Sequence, residues 1–128
     1  MNTRGVRGAT TIEFDSKENI LSATKELLEM ILRANKDLET TDIASAIFTV
    51  TDDIVSAYPA LGARQIGWDS VPMMCAREIP VEGSLPLCIR VLIHWNTHKA
   101  QSEISHVYLR DAVKLRPDLV NQRKEKSQ

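Results

Sequence analysis

Apolar residues recur at helical spacing in one long segment of this chain, between Ser16 and about Lys36. The repeating positions are Ile20, Leu21, Leu27, Leu28, Ile31 and Leu32. This period predicts an amphipathic helix with one face on a core. Asp15 is expected to cap the helix, with Glu18 three residues later completing a capping box.

Shorter segments rich in apolar and β-branched residues predict strands around that helix. The expected strands are Thr3–Ile12, Ala44–Thr51, Val71–Ile79 and Leu87–Trp95, followed by a shorter pair at Ser105–Leu109 and Ala112–Leu115. A second helix should begin at Pro59 and end near Gly67. Gly83 should lie in the connection between the third and fourth strands, and Gly5 and Gly8 should allow a close approach of backbone or ligand to the first strand.

The element order β-α-β-α-β-β-β predicts an α/β (α+β) fold, a mixed β-sheet with helices packed on one face. Two helices leave the other sheet face to be covered, which a chain of 128 residues could achieve by oligomerising. We expect a single domain over residues 1–120. The wholly polar segment Asn121–Gln128 is expected to form a mobile tail.

Composition and charge exclude several classes of function. The chain carries 16 Lys and Arg against 17 Asp and Glu, so nucleic acid and an anionic membrane are not expected partners. No apolar run approaches the ~20 residues of a membrane span, and the first residues lack the apolar core of a signal peptide. Two cysteines and three histidines make neither a disulfide scaffold nor a metal motif. We therefore expect a cytoplasmic protein without a metal.

Arg90 stands out within the fourth predicted strand. Alternation places the odd-numbered residues from Leu87 to Trp95 on one face, and Cys88, Arg90, Leu92 and His94 on the other. A buried, unpaired guanidinium would be costly, so Arg90 needs an anionic partner. That partner is either a carboxylate of the protein or a ligand, and the strand alone leaves both possibilities open.

Four other polar residues could belong to a site, and each also has a purely structural interpretation. Arg7 lies close to glycines and is either a presented guanidinium or a solvated surface residue. Glu78 could accept a hydrogen bond from a ligand hydroxyl or balance the charge of an arginine, or it could form a surface ion pair of little value with Arg77 or another basic residue. Tyr108 could bind a ligand or be a half-buried strand residue. Cys75 is typical of a small buried hydrophobe, because no histidine stands in a catalytic relation to it.

Five sequence blocks, in order, resemble the monofunctional chorismate mutases of the Bacillus type. The blocks are Arg4–Thr11 (RGVRGATT), Gly67-Trp68 with Val71–Glu78 (VPMMCARE), Cys88–Val91 (CIRV), His106–Leu109 (HVYL) and Leu115–Leu119 (LRPDL). Together they extend from Arg4 to Leu119, which is nearly the whole chain.

This resemblance implies a homotrimer that forms a pseudo-α/β barrel, with active sites between subunits. It also implies an isomerase of phenylalanine and tyrosine biosynthesis, which converts chorismate to prephenate by a Claisen rearrangement without any cofactor. The alternative is a non-catalytic trimeric module that binds a small carboxylate or a protein partner. An assay of chorismate turnover separates the two.

The resemblance also implies roles for individual residues. Arg90 would donate to the breaking ether oxygen, Arg7 and Tyr108 would bind the side-chain carboxylate, and Glu78 would accept from the ring hydroxyl. The remaining expected substrate-binding residues are Met74, Cys75, Ala76, Arg77, Leu115 and Arg116, together with Tyr58 and Arg64 near the second helix, where Tyr58 would belong to a wall supplied by the neighbouring subunit.

The chain departs from the family pattern at Leu61, where a lysine is expected, and at Met74, where a threonine is expected. The stretch from Arg64 to Trp68 also looks one residue short. Strict alternation further places Cys75 and Glu78 on opposite faces of the third strand. Both could reach one pocket only if the strand bends or bulges after Cys75, or if one contributes its backbone.

Overall fold

The structure, a computed structural model, describes residues 1–115 of the chain. Its elements are β1 (Asn2–Thr11), α1 (Lys17–Ala34), β2 (Ile43–Val50), α2 (Pro59–Gln65), β3 (Met73–Arg77), β4 (Cys88–Thr97) and β5 (Val107–Tyr108), with 3₁₀ turns at Thr40–Asp42, Gln101–Glu103 and Arg110–Leu115. Arg116 and the expected tail at 121–128 lie outside the described residues. Among residues 1–115, no helix is long and apolar enough to cross a membrane.

The five strands form one mixed sheet in the order β3-β2-β4-β1-β5. Strand β4 runs antiparallel to both β1 and β2, while β3 is parallel to β2 and β5 is parallel to β1. This arrangement confirms the predicted mixed sheet.

The helices pack on one face of the sheet, as the alternation in β4 predicts. Ile89, Val91, Ile93 and Trp95 are buried on that face, whereas Arg90 and Leu92 point to the opposite, open face and are exposed. Burial of large side chains on the covered face supplies the main driving force for this layer arrangement. The open face keeps apolar groups in contact with water, including Leu92 and Ile47, each 37% exposed.

Gly8 is the point where α1 comes closest to the sheet. A Cβ atom at this position would lie 2.6 Å from Cδ1 of Ile31 and 3.2 Å from both Cδ1 of Leu27 and Cγ1 of Val91. The close approach expected near the glycines of the first strand is therefore made by the helix. At Gly5, on the open face, a Cβ would make only an ordinary 3.5 Å contact with Leu92.

The expected cap of α1 is wrong by one residue. Ser16 is the N-cap, and its hydroxyl accepts a hydrogen bond of 3.1 Å from the backbone N–H of Asn19. Asp15 instead accepts from the backbone N–H groups of Val55 and Ser56, at 3.2 and 3.1 Å. Its carboxylate therefore connects the start of α1 to the loop before α2.

The expected strand at Ala112–Leu115 is also wrong, because this segment is a 3₁₀ turn. The N–H of Leu109 still donates to Ala9 O, but Arg110 then adopts a positive φ of 54°. Regular pairing with β1 ends there, although the N–H of Asp111 still donates to Oγ1 of Thr11 at 3.4 Å, and the N–H of Ala112 bonds back to Leu109 O. The paired strand is consequently limited to Val107–Tyr108, shorter than the predicted Ser105–Leu109.

We expect Gly8→Ala to lower the free energy of unfolding by about 1–3 kcal/mol, because the added methyl group forces Ile31 and the sheet apart. Urea denaturation at a fixed protein concentration measures the change. Gly5→Ala is the matched control in the same strand, and its loss should be clearly smaller. Equal losses in the two variants would contradict the role assigned to helix packing at Gly8.

The carboxylate of Asp15 makes stability depend on pH. Loss of hydration alone would raise the pKa of Asp15, but hydrogen bonds from the Ser56 hydroxyl and from the N–H groups of Val55 and Ser56 outweigh it. The pKa is therefore lowered from its ordinary value of 3.8. A lowered pKa stabilises the folded state above the ordinary value, and this contribution is lost as the pH falls through the folded-state pKa.

Asp15→Asn removes this contribution, so we expect the variant to be less stable than the wild type at neutral pH. The difference should stay constant down to about pH 4 and shrink at lower pH, because the ordinary pKa is 3.8. Urea denaturation of both proteins across this pH range provides the measurement. A difference that is independent of pH would show that the charge of Asp15 is not responsible.

Candidate active site

A cavity of about 360 Å³ on the open face of the sheet brings together the four residues predicted to carry the chemistry, namely Arg7, Glu78, Arg90 and Tyr108. The rest of its lining comes from Gly8, Ala9, Ile47, Thr49, Val91, Leu92 and Leu115. Leu115, which was also predicted, thus lies in the same cavity.

Strand pairing explains why these side chains meet. Arg90 lies opposite Ala9 of β1 and opposite Thr49 of β2, so it occupies the middle of the sheet. Arg7 lies opposite Leu92, two residues along β4 on the same face. Tyr108 pairs with Ala9 from β5 at the sheet edge. The cavity therefore extends from the sheet centre to its β5 edge.

Arg90 has the carboxylate of Glu78 as its partner in the protein, with 3.6 Å between Nε and Oε1. The side chain of Arg90 is 49% exposed and that of Glu78 is 21% exposed. An ion pair this open to solvent adds little to stability. Of the two partners left open by the sequence, the protein carboxylate is present, and both charges still face a space large enough for a ligand.

Glu78 lies just beyond the end of β3 and is held in place by two hydrogen bonds, one made by its backbone and one by its side chain. Its N–H donates to Val50 O at 2.9 Å, and its Oε1 accepts a 3.0 Å hydrogen bond from the hydroxyl of Thr49. Thr49 is not among the site residues predicted from the sequence. The signal was available, since alternation in β2 places Thr49 on the same face as Ile47, next to Arg90.

Cys88 lies under Arg90 at the start of β4. Burial raises the pKa of the Cys88 thiol, while the charge of the Arg90 guanidinium and a hydrogen bond from it act in the opposite direction. Cys88 is 1% exposed and remains a free thiol. It therefore contacts the arginine without being open to solvent.

A second cavity of about 470 Å³ contains another part of the predicted set, namely Tyr58, Cys75, Ala76 and Arg77. Leu61 lines it as well, so the position where the family pattern has a lysine belongs to this space. The rest of the lining is Lys17, Val50, Ile54, Val55, Ser56, Ala57 and Pro59.

The two cavities resolve the expected conflict between Cys75 and Glu78. Cys75 packs toward the helix-covered side and lines the second cavity, whereas Glu78 lines the first. Within one chain, these two side chains therefore belong to different spaces.

Arg77 reaches from β3 to the loop that leads into α2. Its Nη1 donates to the carbonyl oxygens of Thr51 and Ile54, at 3.0 and 2.8 Å. Asp15 holds the same loop through Val55 and Ser56. Of the two ion pairs considered for Glu78, with Arg77 or with another basic residue, the structure shows the pair with Arg90. The backbone contacts of Arg77 fix the loop that presents Tyr58, which is 73% exposed.

The remaining predicted residues lie on the surface of the described chain. Met74 is 68% exposed and sits beside Ile47 on the open sheet face. Arg64 is exposed on α2, one turn after Leu61.

The first cavity combines two guanidinium groups, a carboxylate and a phenol. Guanidinium groups bind carboxylates through charge-assisted, often bidentate hydrogen bonds. This set suits a small acid that carries more than one carboxylate and a hydroxyl group. Over residues 1–115, no three His, Cys, Asp or Glu side chains come together in a way that could hold a metal ion.

Comparisons with known proteins agree with this chemistry. The chain is 56% identical to chorismate mutase AroH of Thermus thermophilus over 116 residues, covering 91% of this chain and 95% of that protein. It is 43% identical to chorismate mutase AroH of Bacillus subtilis (strain 168) over 120 residues, covering 93% and 94% of the two chains. Among solved structures, a chorismate mutase from Clostridium thermocellum matches with a TM-score of 0.82 and 47% identity, covering 84% of this chain and 96% of that one.

These relatives are enzymes, which favours the catalytic interpretation over the non-catalytic module. A sequence model described as chorismate mutase type I matches residues 3–119. The chain therefore belongs to the type I chorismate mutase family, a family of isomerases of aromatic amino acid biosynthesis.

Proposed function

We propose that the cavity around Arg90 binds chorismate and rearranges it to prephenate without a metal, a cofactor or a covalent intermediate. The observation that carries this proposal is the convergence of Arg7, Glu78, Arg90 and Tyr108 on one cavity of about 360 Å³. Chorismate is a dicarboxylate with a ring hydroxyl, and these four side chains match its charged and polar groups.

Binding itself lowers the barrier, because the substrate must be held in a compact conformer that it seldom adopts in water. Arg7 from β1 and Tyr108 from β5 bind the side-chain carboxylate at the edge of the sheet. Their strands are paired with each other, so the two donors are held in a fixed relation. Holding reacting atoms in the productive geometry removes part of the entropic cost of reaching the transition state.

Arg90 contributes in the transition state. As the C–O bond breaks, negative charge grows on the ether oxygen, and a preorganised cation beside it binds the transition state more strongly than the substrate. The backbone of Arg90 is paired with both β1 and β2 at the centre of the sheet, so the point from which its guanidinium reaches the substrate is set before binding.

Glu78 accepts a hydrogen bond from the ring hydroxyl and sets the orientation of the ring. Its carboxylate also balances the charge of Arg90 before substrate enters, since Nε and Oε1 are 3.6 Å apart. A partly solvent-exposed ion pair can be rearranged at low cost, which suits Arg90 because it must exchange Glu78 for the substrate.

We further propose that the active enzyme is a homotrimer forming a pseudo-α/β barrel. The open sheet face carries exposed apolar side chains, including Ile47, Leu92 and Met74, and burying them would favour association. The second cavity, with Tyr58 and Cys75, then faces the first cavity of the adjacent subunit. In this arrangement Cys75 and Glu78 contribute to one site from different chains.

We also propose that the protein is cytoplasmic and that residues 1–120 form a single domain. The cytoplasm is the expected location, which the two free thiols, Cys75 and Cys88, support because reducing compartments preserve them. The single domain over residues 1–120 is supported by the family match to residues 3–119. Arg116, which would help close the site, lies outside the described residues.

Purified protein should convert chorismate to prephenate in buffer that contains a chelator and no cofactor. Arg90→Ala should lower kcat by about 10²–10³-fold or more, the usual effect of removing one such donor, with a smaller change in KM. Arg90→Lys should be intermediate, because it keeps the charge and loses the planar fork. Loss of chorismate followed over time provides the measurement.

Arg33→Ala is the matched control, since it removes an exposed guanidinium from the last turn of α1, away from the cavity. Its kinetics should equal those of the wild type. Absence of turnover in the folded wild-type protein, or full activity of Arg90→Ala, would contradict the proposed reaction.

Mixing of two damaged chains tests the shared site. Arg90→Ala damages the first cavity, and Tyr58→Glu places a repelling carboxylate in the second. If each site takes one cavity from each of two subunits, a 1:1 co-refolded mixture should recover about a quarter of wild-type activity, because random assembly leaves that share of sites undamaged. Activity no higher than the mean of the two parents would contradict a site built from two chains.

A further inference from the structure

The hydroxyl of Thr49 contacts the site directly, although Thr49 is not among the residues predicted from the sequence. Thr49 lies on the open face of β2, opposite Arg90 of β4. Its Oγ1 donates to Oε1 of Glu78 at 3.0 Å, and the same Oε1 lies 3.6 Å from Nε of Arg90. Neither of these two contacts uses Oε2, which leaves that oxygen for another donor.

The position of Glu78 explains why such a contact is needed. Glu78 follows the last residue of β3, and its backbone is tied to the sheet by one hydrogen bond to Val50 O. The next residue, Ile79, is 80% exposed. The direction of the Glu78 carboxylate is therefore set by its side-chain contacts rather than by a continuous strand.

The two contacts differ in what happens to them when substrate binds. Arg90 is the donor to the ether oxygen in the proposed reaction, so its interaction with Glu78 is shared with substrate. The Thr49 hydroxyl donates to Glu78 from the sheet and has no part in that exchange. It can hold the carboxylate in place while Arg90 turns to the substrate.

We propose that Thr49 is a positioning residue, which holds Oε1 of Glu78 so that Oε2 receives the ring hydroxyl of the substrate. This inference rests on the proposed function, because it concerns the same cavity. It also gives Thr49 a part in specificity, since a site built to pair with a hydroxyl discriminates against a ring that lacks it.

Thr49→Val tests the proposal, because valine keeps the shape and the β-branch of threonine and removes the hydroxyl. We expect kcat/KM for chorismate to fall by about tenfold or more, the usual cost of losing a hydrogen bond to a charged group. Thr49→Ser should recover most of this loss. Thr3→Val, the same chemical change at an exposed position of β1, should have no effect.

Two further comparisons separate positioning from a merely structural role. In a Glu78→Gln background, Thr49→Val should cause little additional loss, because both changes act on the same interaction. With a chorismate analogue whose ring hydroxyl is replaced by hydrogen, the ratio of kcat/KM between wild type and Thr49→Val should approach one.

The outcomes of this experiment are distinguishable. Wild-type turnover, with equal kcat/KM for Thr49→Val and wild type, would overturn the role of Thr49 and leave the proposed function standing. A loss that is fully additive with Glu78→Gln, or equal for chorismate and for the deoxy analogue, would also overturn it. Absence of turnover in the folded wild-type protein would overturn both proposals.

Discussion

One constraint organises the structure, namely that the residues of β4 alternate between a face buried beneath the helices and the open face of the sheet. Ile89, Val91 and Ile93 are buried beneath the helices. Strand alternation therefore directs the side chains that lie between them to the opposite face of the sheet. Arg90 points to the open face for that reason. The neighbouring strands follow the same register, so the polar residues that meet around Arg90 are placed by the packing on the other side of the sheet.

Much of this organisation could be predicted from the sequence, because it depends on periodicity. The long helix, the first four strands and the face of Arg90 all follow from apolar spacing, and the structure confirms them. Apolar spacing could not show that Ser16 rather than Asp15 caps α1, or that Ala112–Leu115 forms a 3₁₀ turn rather than a strand. The first depends on a contact with Ser56, 41 residues away, and the second on the positive φ of Arg110. Neither feature changes the spacing of apolar residues along the chain.

The candidate site shows a similar division. The sequence identified Arg7, Glu78, Arg90 and Tyr108, and the structure brings them to one cavity. Alternation already placed Cys75 and Glu78 on opposite faces of the third strand, but it could not show that they line two separate cavities. Thr49 was overlooked for another reason: a threonine in a strand is common, and its importance comes from its hydrogen bond to Glu78, which lies just after the end of β3.

Strand β1 places Arg7 and Gly8 side by side, one facing the cavity and the other pressed against α1. The two residues share a peptide bond, so any shift that relieves crowding at Gly8 also moves the guanidinium. The interior of the protein and its chemistry are thus mechanically linked at this point. In evolutionary terms, the helix side chains that contact Gly8 can drift in size only as far as the position of Arg7 tolerates, although they lie on the far side of the sheet from the substrate.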